Sequence, residues 1–295
     1  MEAKKNKKVL IIFNPEAGQR AEQKLKRIVE ELKRNELLID TIKTQYSGHA
    51  KIIAQENVNN KYAMLIAAGG DGTINEVLNG MYPTFVPFAI IPLGTANVLA
   101  KEAQIGSNAS GIVNYILNGS TKPLWLGRSN NKYFALMMSA GLDAVSVTKV
   151  NKKLKKWFGK FAYIVSFVKA VMDSKNITYE VLIENKIYYS SGVIVSNGKL
   201  YGGEYICAPN ASLQENKLYA ILTKNTGRIN ALKYALLMFL QKLPYSDSVT
   251  ILPVTKLRIN CEQKKIPTQI DGDNGGYVPV DVSISDQYIN FQYPP

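Results

Sequence analysis

Hydrophobic runs alternate with helical patterns along the first part of the chain. Val9–Phe13 is continuously apolar, as in a buried strand, and the apolar residues of 25–32 recur at the i, i+3, i+4, i+7 spacing of one helix face. The same order is repeated downstream, with further strands predicted at 39–44, 62–68 and 88–92 and a helix at 49–58. This alternation predicts a doubly wound, mostly parallel sheet with helices on both faces. In such sheets, ligands bind beyond the carboxyl ends of the strands.

The second part of the chain has a different periodicity. Apolar and polar residues alternate with a period of two, which is typical of antiparallel sheets in a sandwich or barrel. Helical patterns at 154–172 and 229–243 interrupt these runs. We therefore predict an α/β domain over residues 1–122 and an all-β domain with helical insertions over 123–295. The alternating runs lie at 178–183, 187–196, 217–223, 256–260 and 280–285.

Composition narrows the function classes. The chain has 295 residues, of which 46% are hydrophobic, so it is long and apolar enough to bury a substantial core. Two cysteines are too few for a disulfide framework, and the single histidine, His49, excludes a histidine-rich zinc site. The chain starts with a segment too short for a signal peptide and has no run of about 18 apolar residues, so we expect a cytoplasmic protein without a membrane span.

A glycine-rich segment, Ala67–Gly80, carries the strongest chemical signal. A buried strand runs into Gly69, Gly70 and Gly72, and a predicted capping box of Thr73 and Glu76 then opens a helix. Glycines at such a junction let backbone N–H groups approach an anion, and the helix N-terminus adds partial positive charge. The segment predicts phosphate binding, although spacing alone is also compatible with a tight turn that holds no ligand.

Two further strand ends have the same character. Pro92–Asn97 carries a strand into Gly94 and Thr95 and then into a helix, and Asn14–Gly18 follows the first strand. Each segment alone is a weak signal. Because three such ends lie in one predicted sheet, we expect them to face a single crevice.

The order of these segments resembles the diacylglycerol kinase catalytic family, and in particular its soluble bacterial lipid kinases, which are related to the sphingosine and ceramide kinases. The resemblance covers nearly the whole chain. The glycine motif is shared with NAD kinases, so it indicates phosphoryl transfer more specifically than it indicates a substrate. The matching segments are Asn14-Pro15-x-x-Gly18, Thr44, Gly48-His49-Ala50, Gly69–Gly80, Pro92–Asn97, Ala140–Ala144, Tyr201-Gly202-Gly203, Ala208-Pro209-x-Ala211 and Ile270–Asp273.

This resemblance implies an ATP-dependent kinase that phosphorylates a hydroxyl of a diacylglycerol-like or other lipid alcohol. It implies ATP and Mg²⁺ as cofactors and an active site in the cleft between the two domains. Asp71 would act through Mg²⁺ or a bound water, because a bare carboxylate is repelled by a triphosphate. The residues that the resemblance assigns to ATP are Asn14, Thr44, Gly69, Gly70, Asp71, Gly72, Thr73 and Thr95.

The resemblance also assigns catalytic and metal residues, with two departures from the family pattern. Asp271 and Asp273 stand where the family has Asp-Gly-Glu, and which of them accepts the proton is left open. On turn chemistry alone, Asp271-Gly272-Asp273 is equally compatible with an ordinary acidic turn. Glu215 is the one acidic residue in the segment that contributes a metal site in relatives, and a solvated hairpin turn is the simpler interpretation there.

The formal charge of +13 adds a prediction about partners. A net +4 falls before residue 124 and +9 after it. Between Asp143 and Asp173 there is no acid, and six lysines of 149–160 lie beside Trp157 and Phe158. This segment predicts transient docking on an anionic membrane at its inner face, and a solvated helix packed by its aromatics is the alternative.

The sequence gives less support to other partners and functions. Nothing beyond charge supports a nucleic-acid partner, so none is expected. The oligomeric state is open, with a homodimer among the alternatives. A NAD kinase-like enzyme shares the glycine motif, but the Pro92–Asn97 segment argues against it. A catalytically weakened nucleotide- or lipid-binding relative is suggested by Asp273 and by the altered metal segment.

Overall fold

A computed structural model describes residues 7–18, 20–58, 62–141 and 177–295 of the chain. Its helices are α1 (Ala21–Arg34), α2 (His49–Asn57), α3 (Asp71–Met81), α4 (Val98–Glu102), α5 (Ala109–Asn118) and α6 (Arg228–Phe239), with short 3₁₀ turns at Pro15–Ala17 and Leu243–Tyr245. Its strands are β1 (Lys8–Phe13), β2 (Leu38–Lys43), β3 (Met64–Gly69), β4 (Phe88–Pro92), β5 (Ser120–Leu124), β6 (Gly127–Ser129), β7 (Lys132–Phe134), β8 (Met137–Ala140), β9 (Tyr179–Ile183), β10 (Lys186–Ser190), β11 (Gly192–Ser196), β12 (Leu200–Tyr201), β13 (Tyr205–Ile206), β14 (Leu218–Thr223), β15 (Val249–Val254), β16 (Lys256–Cys261), β17 (Pro267–Ile270), β18 (Asp273–Tyr277), β19 (Val280–Ile284) and β20 (Ile289–Tyr293).

The first sheet has the strand order β2-β1-β3-β4-β20-β5, and its first four strands are parallel. Helix α1 packs against α5, and α2 packs against α3. Right-handed crossovers put these two pairs on opposite faces of the sheet, because β1 to β2 and β3 to β4 run in opposite directions across it. The strand order reverses between β1 and β3, and a ligand crevice is expected at the carboxyl ends of strands at such a reversal. The predicted α/β architecture is confirmed.

The last strand of the chain returns to the first sheet. Strand β20 lies between β4 and β5, parallel to β4 and antiparallel to β5. Ile289 and Phe291 on β20 are fully buried in the core of this sheet. The division that the sequence predicts between residues 122 and 123 falls inside β5, and it stays a prediction.

The second part of the chain forms two six-stranded antiparallel sheets and a small β12-β13 hairpin. The larger sheets have the orders β10-β9-β16-β19-β6-β7 and β15-β14-β11-β8-β17-β18. Alternate residues of their strands share one core, as the period of two predicts.

The alternating run at 187–196 is divided between two strands that belong to different sheets. β10 ends at Ser190 in one sheet, and β11 begins at Gly192 in the other. The hydroxyls of Ser190 and Ser191 donate to the carbonyl of Thr223 at 3.0 and 3.2 Å, and these bonds fix the chain where it crosses between the sheets.

Within the described residues, no helix is long and apolar enough to cross a membrane.

Candidate functional site

The loops after β1 and β3 meet at the predicted crevice. The side-chain amide of Asn14 donates to the Thr73 hydroxyl at 3.0 Å, and the other end of the amide accepts from the backbone N–H of Glu16 at 2.9 Å. Thr73 lies in the first turn of α3 and is buried. Two residues that the sequence assigns to ATP are thus joined to each other at the carboxyl ends of neighbouring strands.

The loops after β3 and β4 touch through two glycines. A Cβ added at Gly94 would lie 2.6 Å from the Cα of Gly70, which is closer than real Cβ atoms approach backbone. The carbonyl of Gly69 accepts from the N–H of Leu93 at 2.9 Å. The Asn97 amide braces the second loop by bonding both the N–H and the carbonyl of Gly94. This contact holds the two loops side by side, as expected if they face one ligand.

Asp71 lies at the first position of α3 and links it to α4. Its carboxylate accepts from the backbone N–H of Leu99 at 3.4 Å. Burial raises the pKa of Asp71, while backbone hydrogen bonds from Leu99, Val98 and Asn97 act in the opposite direction. Asp71 is thus held by neighbouring backbone, as well as lying at the end of the glycine-rich loop.

The predicted capping box of Thr73 and Glu76 is wrong. Helix α3 begins after Gly70 with no side-chain cap, and the hydroxyl of Thr73 is engaged by Asn14. The Glu76 carboxylate instead accepts from the backbone N–H groups of Gly48 and Ala50, at 2.8 and 3.2 Å, at the start of α2. Helix α2 packs beside α3, and the N-terminus of α2 has no side-chain cap of its own. It therefore offers Glu76 two free backbone N–H donors, whereas a capping box within α3 would offer only one.

Asp271 is enclosed by donors from two parts of the chain. Its carboxylate accepts from the Asn75 side chain at 2.7 Å, and from the backbone N–H groups of Ala135, Leu136 and Met137 at 2.8, 3.0 and 2.8 Å. Burial raises its pKa to about 6, against the opposing effect of these hydrogen bonds. With two donors on each oxygen, the carboxylate has no lone pair left for another partner.

Asp273 has the opposite environment. It is exposed at the start of β18, and its carboxylate accepts no hydrogen bond from the residues that the structure describes. One of its carboxylate oxygens lies 3.7 Å from the position that a Cβ on Gly72 would occupy. The chain bends there through Asp271 and Gly272, both with positive φ, of 46° and 85°. The two acids of the turn therefore point to different surroundings, one into the protein and one to the glycine-rich loop.

The other predicted site residues are less closely connected. Thr44 follows β2, and its N–H donates to the carbonyl of Phe13 at 2.8 Å. Thr95 is exposed in the loop after β4. Glu215 forms an ion pair with Lys217 at 2.6 Å on an exposed turn. No group of three His, Cys, Asp or Glu that could hold a metal occurs within the described ranges, and the metal role of Glu215 stays a prediction.

Sequence reasoning missed the residues that connect α3 to the second part of the chain. Asn75 binds Asp271, and Asn79 both donates to the carbonyl of Tyr133 at 2.9 Å and accepts from its N–H at 3.0 Å. Their i, i+4 spacing puts two amides on one face of a helix that is otherwise largely buried, and this was the available signal. The predicted membrane segment at 149–160 lies outside the described residues.

Known proteins resemble the chain over nearly its full length. The family model for the diacylglycerol kinase catalytic domain matches residues 8–129, and that for the YegS C-terminal NAD kinase beta sandwich-like domain matches residues 136–292. The chain is 25% identical over 279 residues to the diacylglycerol kinase of Bacillus subtilis (strain 168), and the match covers 92% of each protein. It is 26% identical over 286 residues to the diacylglycerol kinase of Staphylococcus haemolyticus (strain JCSC1435), covering 91% of this chain and 83% of that one. The crystal structure of a diacylglycerol kinase from Bacillus anthracis str. Sterne has the same fold, with a TM-score of 0.79 and 23% identity over 98% of each chain.

Proposed function

Because the chain belongs to the soluble bacterial diacylglycerol kinase-like family, a family of lipid kinases, we propose that it transfers the γ-phosphate of ATP to a hydroxyl of a diacylglycerol-like or other lipid alcohol. The observation that carries this proposal is the approach of the Asp273 carboxylate to Gly72. It puts an ionisable oxygen next to the loop best suited to hold phosphate. A donor site for phosphate and an acceptor for the hydroxyl proton are the two parts that such a transfer needs.

The phosphates of ATP would lie on the loop of Gly70, Asp71 and Gly72 at the start of α3. The glycines let backbone N–H groups reach the phosphate oxygens, and the helix end adds partial positive charge. The Gly70–Gly94 contact supports a second loop, with Thr95, on the same ligand. Asn14 and Thr73 would contact the nucleotide where the loop after β1 meets the start of α3. Thr44 would contact it from the end of β2, at the edge of the sheet.

Asp273 is the better proton acceptor of the two acids. Asp271 would have to give up a hydrogen bond to take a proton, since four donors saturate its oxygens. We assign Asp271 to positioning: it ties the turn to α3 and to the segment before β8. The short side chain of Asp273 still reaches the neighbourhood of Gly72, which supports an active enzyme despite its departure from Asp-Gly-Glu.

The donor set fits a magnesium ion that arrives with the nucleotide. The described residues contain no cluster of three acidic or histidine ligands, so the chain offers no cage of its own there. Mg²⁺ in kinase sites is commonly held by one or two carboxylates together with substrate phosphates, and Asp71 lies within the proposed phosphate loop. When bound, the ion would neutralise charge on the phosphates.

Transfer of labelled γ-phosphate from ATP to a panel of lipid alcohols tests the proposal. We expect Asp273→Asn to lower kcat by about 10²- to 10⁴-fold, the usual contribution of a general base, with little change in the KM for ATP. Asp273→Glu, which restores the family pattern, should retain activity.

Asp247→Asn is the matched control, because Asp247 is also exposed but lies on the turn before β15, among residues to which no site role is assigned. Wild-type transfer no greater than that of Asp71→Ala with every lipid would refute the kinase proposal. An unimpaired Asp273→Asn enzyme would refute the assignment of the base alone.

A further inference from the structure

Helix α6 is attached to the protein through Tyr234 and Met238. The hydroxyl of Tyr234 accepts from the N–H of Asn225 at 3.0 Å and donates to the carbonyl of Ser248 at 3.3 Å. Met238, one turn further along, packs on the small core cluster around Cys207 and Tyr219. None of the helix residues is buried, although most of them are apolar.

The opposite side of α6 is an exposed apolar stripe. At 100° per residue, Ile229, Leu232, Leu236, Phe239 and Leu240 fall within an arc of about 100° centred opposite Tyr234 and Met238. Phe239, at the edge of this arc, also lies beside the ring of Tyr205, with ring centroids 6.0 Å apart. Ile229 is 84% exposed, Leu236 57% and Phe239 63%. An ordinary surface helix turns such a stripe to the core, so α6 has the reverse orientation. Large exposed apolar patches of this kind mark interaction surfaces.

The charges on helix α6 and in the chain segments that flank it all have one sign. No acidic residue occurs between Glu215 and Asp247, whereas Arg228 and Lys233 lie on the two edges of the stripe and Lys242 follows the helix. Arg228, Lys233 and Lys242 are exposed. A helix with an apolar stripe between basic edges has the pattern of one that lies in the interface of an anionic bilayer.

We infer that the α6 stripe docks the protein on an anionic membrane surface. The occupant is a bilayer, because the stripe presents apolar side chains to acyl chains while the basic residues meet anionic headgroups. The inference deepens the proposed function, since a lipid substrate resides in such a surface. It is distinct from the docking predicted for 149–160, which has a different location in the chain.

Sedimentation with vesicles tests this docking without any catalytic readout. We compare wild type with an Ile229→Gln/Leu232→Gln/Leu236→Gln variant on vesicles of phosphatidylcholine with and without phosphatidylglycerol. Glutamine keeps the helix propensity of the replaced residues close to their own. The matched control, Leu38→Gln/Phe85→Gln/Ile187→Gln, changes three exposed apolar residues elsewhere. We expect the affinity of the α6 variant for the vesicles to fall by about tenfold or more, which is the loss expected when even one large apolar side chain is no longer buried. The control should bind as wild type does.

Charge supplies an independent arm. Arg228→Glu/Lys242→Glu should weaken binding to the phosphatidylglycerol vesicles, and added salt should reduce wild-type binding in the same way. The docking is overturned if wild type does not sediment with these vesicles, or if the apolar α6 variant sediments as well as wild type. It is also overturned if that variant unfolds several degrees lower than the control, since the stripe would then be covered within the chain.

Kinase activity on a monodisperse short-chain diacylglycerol separates this docking from the proposed function. Absence of wild-type activity there and on all other lipids is a failure of the kinase proposal, and it leaves the vesicle result standing. If the apolar α6 variant raises the KM for the monodisperse substrate as much as for vesicle substrate, the stripe contacts single acyl chains and the membrane inference is wrong.

Discussion

At the residue scale, the environment of Asp271 predicts opposite pH trends for stability and activity. Burial raises the pKa of Asp271 to about 6 in the folded protein, above its ordinary value. The folded state then binds this proton more tightly than the unfolded chain, so the stabilising contribution is present at low pH and is lost as pH rises through about 6. The ionised carboxylate is the form that accepts four hydrogen bonds, so kcat should fall as pH decreases through about 6.

Urea unfolding and steady-state kinetics between about pH 4 and pH 7 measure the two trends. Asp271→Asn should flatten both near pH 6, because asparagine does not titrate. Asp271→Asn should also lower kcat. All four partners of the carboxylate are N–H donors, and the amide N–H₂ of asparagine cannot accept a hydrogen bond from them. Glu184→Gln serves as the control, because Glu184 is exposed on the β9–β10 turn. A pH profile that Asp271→Asn leaves unchanged would contradict the assignment.

At the element scale, the contact between the loops after β3 and β4 depends on Gly94. Gly94→Ala would bring a methyl group to 2.6 Å from the Cα of Gly70, so the loops have to separate. We expect a loss of stability of about 1–3 kcal/mol, typical of overpacking, and a higher Kd for ATP. Thermal unfolding and titration calorimetry measure these changes. Gly106→Ala is the control, because nothing lies within 4 Å of a Cβ there. Unchanged ATP binding in Gly94→Ala would show that the two loops do not share the nucleotide.

The proximity of these loops could be predicted from the sequence because its signals are local, and their role in binding phosphate stays a prediction. Glycines after buried strands and the βα order specify where backbone can approach an anion, and the structure brings the three loops together. Glu76 was predicted to cap its own helix, but its carboxylate binds the start of α2, which lies in an earlier part of the chain. A local sequence pattern can identify Glu76 as a hydrogen-bond acceptor. Which N–H groups it binds depends on how the helices pack.

At the scale of the whole molecule, the arrangement depends on contacts that periodicity does not encode. The Asp271-Gly272-Asp273 turn was recognised, yet its attachment to Asn75, 196 positions earlier, has no local signature. The return of β20 to the first sheet is similar. Its sequence alternates between apolar and polar residues, which suits either sheet, so only the pairing with β4 and β5 decides its place.

The position of β20 predicts that this C-terminal strand stabilises the first sheet, where it lies between β4 and β5. Phe291 is fully buried and packs against Phe88 of β4, with ring centroids 5.8 Å apart. Phe291→Ala should cost about 3–5 kcal/mol, measured by urea unfolding, and hydrogen exchange should show lost protection in β4 and β5. Tyr277→Ala, at a residue 56% exposed on β18, is the control and should cost far less. If protection fell only in the antiparallel sheets, β20 would not couple the two ends, and residues 8–124 would fold without it.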